Sequence, residues 1–273
     1  MISASLAVPF PRAAAPGRTG ILQAGWLAVH APKAARRPLV RPVREVLGAP
    51  LPAAGRILAV TARPGQESAD LGGVLYAFRR AGVRLALLCL TRGEASRLNS
   101  TSQRLEEIRP WELQAAAAVI GVSAVMVADF PDGSLSRCSL TALSGRVQRA
   151  IEEHTPDLLL VIDPATGTAC DVQVAKATCI TARSAGLPVA ARTSTHARNS
   201  WPVGQDAEAS AARAVQRSAA AAHVSQSEAL AEVYQQLERA GSRDRLRWLI
   251  HPAGSGKIPR PRAPRRSRRG QAA

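Results

Sequence analysis

Between residues 56 and 256 the chain alternates short apolar runs with amphipathic stretches. Residues 56–62 (RILAVTA), 83–90 (VRLALLCL), 124–128 and 157–162 (DLLLVI) are continuous apolar runs flanked by turn residues. Such runs predict strands buried on both faces, and residues 188–191 predict a fifth. Helix-length segments lie between them. Residues 68–81 place Leu71, Val74, Leu75 and Phe78 on one side and close at Gly82. Residues 101–120 close at Gly121, residues 139–154 form a third helix, and residues 172–185 close at Gly186. Pro110 either starts a second helix within 101–120 or kinks the first. Residues 207–239 and 244–250 are expected to finish the domain as helices. Strands alternating with helices predict βαβ units. The expected fold is therefore a single α/β domain, a Rossmann-like mostly parallel five- or six-stranded sheet with helices on both faces. Such sheets bind ligands at the carboxyl ends of their strands, which singles out residues 61–70, 91–101, 129–138 and 163–172.

Charge divides the chain differently. There are 36 Lys and Arg against 20 Asp and Glu, a formal net charge of +16. Residues 1–55 carry seven basic residues and one acid, and residues 257–273 carry seven basic residues and none. Removing +6 and +7 from +16 leaves only +3 for residues 56–256. The net charge thus gives no argument for a nucleic-acid-binding fold, and the basicity lies in two tails, whose own role stays open. Residues 1–55, rich in Ala, Pro and Arg, are expected to be mostly disordered, with a short amphipathic piece near 39–47 packing on the domain. Residues 257–273 are expected to be a disordered basic tail. That tail suits weak contact with nucleic acid or an anionic surface through counterion release, although it has no aromatics for base stacking.

Aromatics make up only 3% of the chain, so the core must come from Ala, Val, Leu and Ile. Cys89, Cys138, Cys170 and Cys179 show no two-residue spacing of a zinc or redox motif. Cys89 reads as a buried thiol, and the set fits a reducing, cytoplasmic setting. No apolar run is long enough for a membrane span, and the first residues do not follow a signal-peptide pattern.

The loops after the strands carry a resemblance. Loop one reads Ala62-Arg63-Pro64-Gly65-Gln66-Glu67, with Gly72-Gly73 following, and strand two ends in Thr91-Arg92-Gly93-Glu94. Arg109 and Glu112 precede Gly121-Val122, and Asp129-Phe130-Pro131-Asp132-Gly133 follows strand three. Pro156-Asp157 and Asp163-Pro164 flank strand four, and His223, Ser225 and Gln226 come late. In this order the elements resemble the PIG-L/LmbE-like N-acetylglucosaminyl deacetylases, whose signatures are AHPDDE, TxGE, RxxE…LGV, fpDG, HPDH and HxSQ.

That resemblance implies a zinc-dependent amidohydrolase that removes acetyl from a sugar amine. In the family, zinc takes a His and an Asp from the first loop and a His from the loop after strand four. Another first-loop Asp is the general base, and the first His of HPDH stabilises the oxyanion. Here the matching positions are Arg63, Gln66 and Val172 for the ligands, Gly65 for the base and Ala169 for the oxyanion group. Pro64, Glu67 and Asp171 persist. An arginine is a permanent cation and ligates no metal. Glycine offers no side-chain acceptor, and the five histidines have no i,i+3 or i,i+4 pair. Zinc is thus expected for the family, but no zinc-ligand set and no catalytic residue are expected in this chain.

The candidate ligand-binding residues are Arg63, Gln66, Glu67, Arg109, Asp132, Asp163 and Asp171. Arg63 either takes over the charge role of the zinc, holding an anionic or carbonyl ligand, or pairs with Glu67 or Asp171. Glu67, Asp163 and Asp171 either gather around a hard cation or cap loops. Arg109 and Asp132 match sugar-contacting positions or form a helix-to-loop ion pair. His223 reads as a structural histidine. Cys170 lacks a nearby base for a nucleophile's role, and Gly72-Gly73 lacks the spacing of a dinucleotide loop. Three functions stay open. One is a non-catalytic protein binding a ligand, such as an N-acetyl sugar-like small molecule, or a protein partner of unknown kind. The second is an active deacetylase with a rearranged site. The third is an adaptor acting through the basic tails.

Overall fold

The computed structural model describes residues 51–96, 104–193, 199–203, 206–239 and 244–253. The expectations for residues 1–50, for the basic tail at 257–273 and for the helix start at 101 lie outside the described residues.

The apolar runs become parallel strands β1 (Arg56–Thr61), β2 (Arg84–Thr91), β3 (Ala124–Phe130), β4 (Leu158–Ile162) and β5 (Val189–Thr193). They pair in the order β3-β2-β1-β4-β5. Two short strands, β6 (Ser200–Pro202) and β7 (Arg245–Ile250), extend the sheet antiparallel beyond β5, giving β7 next to it and β6 at the edge. The sheet is therefore seven-stranded and mixed.

β7 replaces the helix expected at 244–250. In Arg-Leu-Arg-Trp-Leu-Ile, Leu246 and Trp248 pack against one face of the sheet, while Leu249 and Ile250 pack against the other. The helix expected over 207–239 is also divided. It becomes α6 (Asp206–Ala221), a 3-10 segment (Val224–Ala229) and α7 (Leu230–Arg239), with His223 at the break.

The remaining helices are α1 (Gln66–Ala69), α2 (Gly72–Arg80), α3 (Leu105–Ile120), α4 (Leu140–His154) and α5 (Ala169–Ala185). Pro110 sits within α3, which runs past it as one helix. Each central strand feeds two cores. Ile57 and Ala59 of β1 face a cluster with Leu71, Leu75 and Phe78 of the α2 region and Leu113 and Ile120 of α3. Leu58 and Val60 face the opposite cluster, with Leu143 and Val147 of α4 and Val174 of α5. This double burial makes the strands read as unbroken apolar runs. No helix among the described residues is long and apolar enough to cross a membrane.

Successive strands progress outward from β1 to β2 and β3, and the chain then crosses back to place β4 on the other side of β1. The loops after β1 and β4 therefore diverge, leaving a crevice at their carboxyl ends.

Candidate functional site

A cleft of about 650 Å³ opens at that crevice. Its floor comes from the loop after β1, its sides from Thr166–Thr168, Asp132 and Arg192, and its roof from His223, Gln226 and α7 residues including Val233.

The loop after β1 is turned by Gly65, whose φ of 99° is in the left-handed region. Gln66 then folds back beneath the loop. Its Oε1 accepts from the N–H of Ala62 at 2.9 Å and of Arg63 at 3.2 Å, and its Nε2 donates to Asp171 Oδ1 at 2.8 Å. The other Asp171 oxygen accepts from Thr168 N and Thr168 Oγ1, at 2.8 and 2.7 Å. Thr168 and Asp171 form a capping box at the start of α5. Asp171 is thus held as a cap, with Gln66 latched to its free side.

Glu67 is fully buried. Its Oε2 accepts from Gly65 N at 2.8 Å, and its Oε1 accepts from Ser68 Oγ at 2.6 Å and faces His223 Nε2 at 2.7 Å. Burial alone would raise this carboxyl. The charge and hydrogen bond of His223, aided by Ser68, outweigh it and hold Glu67 below the ordinary carboxylate range. An ionised Glu67 is acceptor-only, so His223 Nε2 carries the shared proton. His223 Nδ1 is buried without a partner.

Arg109 reaches from α3 to clamp two loops, donating to Gly93 O at 2.6 Å and Pro64 O at 2.8 Å. Burial holds its pKa below the usual guanidinium value, and its Nε has no partner. Asp132 accepts from Thr91 Oγ1 and Ala95 N, both at 3.2 Å, and from Gly133 N at 3.0 Å. Its charge acts on Arg109, but the two side chains share no hydrogen bond.

Asp163 lies outside the cleft lining. Arg247 of β7 grips both its oxygens, at 2.5 and 2.6 Å, and Ala165 N donates to it at 2.9 Å. Burial would raise its carboxyl, and these hydrogen bonds together with the Arg247 charge bring it below its ordinary value. Glu67, Asp163 and Asp171 consequently point to three different partners, none of them Arg63. No cluster of three or more His, Cys, Asp or Glu able to hold a metal exists among the described residues.

Arg63 is exposed in the cleft, and its side chain makes no hydrogen bond or ion pair among the described residues. Cys89 lies in the core, where burial pushes its thiol up to about 12. Cys170 packs against the α4–α5 side. All four cysteines are free.

Sequence reading missed a second buried network beside the cleft. Arg192 of β5 donates to Asp244 Oδ1 through Nε and Nη2, each at 3.3 Å, and approaches Asp70 at 3.8 Å. Arg213 of α6 donates to Asp244 Oδ2 at 3.1 Å. The available signal was an arginine directly after the buried run Val189–Ala191, since a buried guanidinium requires an acid. Glu112, noted only for its motif, accepts from Ser225 N and Oγ at 2.6 and 2.7 Å and so fixes the cleft's roof to α3.

Gly93 gives a local test of the Arg109 clamp. Its φ is +79°, and an added Cβ would lie 2.3 Å from Arg109 Nη1. Gly82 has a similar φ of +82° with nothing nearby. Urea unfolding should show Gly82→Ala costing about 1–2 kcal/mol for the left-handed backbone. Gly93→Ala should cost distinctly more because Arg109 must move. Equal losses would show that the clamp adds nothing.

The sequence profile of GlcNAc-PI de-N-acetylases, PIG-L, matches residues 58–180. A probable N-acetyl-alpha-D-glucosaminyl L-malate deacetylase 2 of Bacillus anthracis is 28% identical over 113 residues, 40% of this chain and 50% of that protein. The chain thus spans about half the length of that relative. Among solved structures, the A40926 pseudoaglycone deacetylase Dbv21 aligns with a TM-score of 0.57 at 17% identity, covering 71% of this chain and 96% of that one. The N,N'-diacetylchitobiose deacetylase of Pyrococcus horikoshii aligns with a TM-score of 0.52 at 16% identity, covering 73% and 84%. A 4-carboxy-2-hydroxymuconate hydratase from Pseudomonas putida aligns with a TM-score of 0.56 at 16% identity, covering 74% and 99%. At these identities the structural matches establish the α/β fold. Residues 58–180, which carry most of the motif-bearing loops, thus match the profile of the PIG-L, or GlcNAc-PI de-N-acetylase, family.

Proposed function

We propose that this chain is a non-catalytic member of the PIG-L family that binds a small molecule in the cleft. The observation carrying this reading is the Gln66–Asp171 latch. At the positions that the resemblance aligns with zinc ligands stand a cation, Arg63; an amide whose oxygen is taken by two backbone N–H groups, Gln66; and an apolar side chain, Val172. A zinc site needs three ligands with a fourth position open to water. This donor set does not fit zinc. Gly65 offers no base and Ala169 no oxyanion donor.

The retained cleft supports binding. Its walls are held rigidly by Arg109, Glu112 and Asp132, and its size is in the range of small-molecule sites. The similar structures named as a pseudoaglycone deacetylase and an N,N'-diacetylchitobiose deacetylase make an N-acetyl sugar-like molecule the first class to screen. The fold alone does not choose the reaction, since a hydratase shares it. Residues 56–256 are taken as the folded unit, between the flanks 1–55 and 257–273.

The test is metal content with activity. The full chain, incubated with zinc and desalted, should retain far less than stoichiometric metal by mass spectrometry. It should release no chelator-sensitive acetate from N-acetylglucosamine conjugates. Stoichiometric zinc together with acetate release abolished by a chelator would overturn the proposal.

A further inference from the structure

Resting on the reading of the cleft as a binding site, the charge balance of its lining identifies the chemistry of the occupant. The lining contains Arg63, Arg109 and Arg192 against Asp70, Asp132 and Asp171. All three carboxylates are engaged from within. Asp132 takes three donors, Asp171 takes Gln66 and Thr168, and Asp70 faces Arg192. What remains unsatisfied is nitrogen. Arg63 offers a complete guanidinium to the cleft, while Arg109 Nε and His223 Nδ1 are buried polar atoms with no partner in residues that line it. Arg109 and His223 are 4% and 3% exposed, so bulk water does not serve those atoms. Buried polar atoms are normally satisfied, and orphans in a cleft wall point to an absent ligand.

The backbone fixes where Arg63 sits. Its N–H is tied to Gln66, Pro64 O is held by Arg109, and Gly65 turns the chain immediately afterwards. The side chain therefore leaves a rigid loop. Its charge acts on Asp70, whose carboxyl lies above its ordinary value. Burial is the main cause, opposed by Arg192 and more weakly by Arg63. Asp70 faces Arg192, which leaves the planar fork of Arg63 open to a bidentate acceptor.

We infer that the cleft binds a small organic carboxylate, with the Arg63 guanidinium gripping the carboxylate and His223 Nδ1 meeting a polar group of the same molecule. In this assignment a fixed cation on the chain itself anchors the ligand. His223 contributes a lone pair to a hydroxyl when neutral or an N–H to an oxygen when charged, so it meets the ligand in either state.

The probes are D-glucuronate, uncharged N-acetylglucosamine and inorganic phosphate, titrated into the full chain by calorimetry and by ¹⁵N NMR of the arginine Nε–H signals. D-glucuronate should bind about tenfold or more tightly than N-acetylglucosamine and should move the Arg63 signal, as expected for one added charge-assisted pair. Arg63→Ala, at an exposed position, should stay folded by circular dichroism and lose that preference. Arg63→Lys should restore part of it, keeping the charge without the fork. Equal affinity for the two sugars, or a preference unchanged in Arg63→Ala, overturns the inference and leaves the non-catalytic reading standing. Binding of phosphate without glucuronate overturns the assignment to a carboxylate, and absence of any Arg63 shift overturns it outright. Zinc-dependent acetate release would instead sink the non-catalytic reading, so the two failures are told apart.

Discussion

Replacing Glu67 with alanine is expected to lower the thermal unfolding midpoint by about 6–20 °C, corresponding to about 3–5 kcal/mol in a domain of this size. Glu67 is 0% exposed and serves three donors, namely Gly65 N, Ser68 Oγ and His223 Nε2. Its removal leaves those donors in a cavity that water does not reach, and orphaned buried donors are what make such losses large. The loss also reaches function, because Gly65 turns the loop that presents Arg63.

Acid titration separates charge from shape. Glu67 is ionised more readily in the fold than its ordinary 4.5, because His223 and Ser68 outweigh burial. A depressed carboxyl contributes stability that is fully present above its unfolded value and is lost as pH falls through the folded one. Asp163, depressed below 3.8 by Arg247 against its own burial, acts in the same direction. Asp70, raised by burial, acts in the opposite direction. The native chain should therefore lose stability as pH drops below about 4.5. Glu67→Gln should show a flatter acid limb, with Asp163 supplying what slope remains. An acid limb as steep in Glu67→Gln as in the native chain would show that Glu67 carries no such charge dependence.

A second large effect is expected at Asp244. This carboxylate, 7% exposed, neutralises Arg192 from β5 and Arg213 from α6. Asp244→Ala leaves Arg192 facing Asp70 alone, at 3.8 Å, in the interior. Unpairing buried charge costs about 3–5 kcal/mol, and urea unfolding should read it. Asp244 also stands at the entry to β7, and its carbonyl accepts from Val203 N at 2.7 Å. The substitution should therefore raise hydrogen exchange selectively in β6 and β7 before the parallel strands open. Gly73→Ala offers an independent approach, since its Cβ would lie 2.0 Å from Asp244 Oδ2. If Asp244→Ala unfolds at native urea concentrations, the network is a minor contributor and the second glycine of Gly72-Gly73 needs another explanation.

The five parallel strands and the helices covering them were legible because their apolar positions are contiguous in sequence. An uninterrupted run such as Leu158–Ile162 reports burial on both faces without reference to any partner. Residues 245–250 form a strand where a helix is expected, for the complementary reason. In residues 245–250 four side chains are apolar and two are arginines, a pattern short enough for either a helix or a strand. Pairing with β5 decided it, by giving Leu246 and Trp248 one core and Leu249 and Ile250 the other. The break at His223 was equally hidden, and the residue at it meets a partner, Glu67, 156 positions away.

By itself, the sequence determined the fold class, the strand-end loops that form the cleft and the identities standing at the motif positions, because each is written in local spacing. Only the tertiary structure decided what those residues do. It spent Gln66 and Asp171 on each other, gave Asp163 to Arg247 and Glu67 to His223, and left Arg63 open. Carboxylates act through whichever donor the fold brings within hydrogen-bond reach. That donor lies up to 156 residues away here, and no spacing rule extends so far.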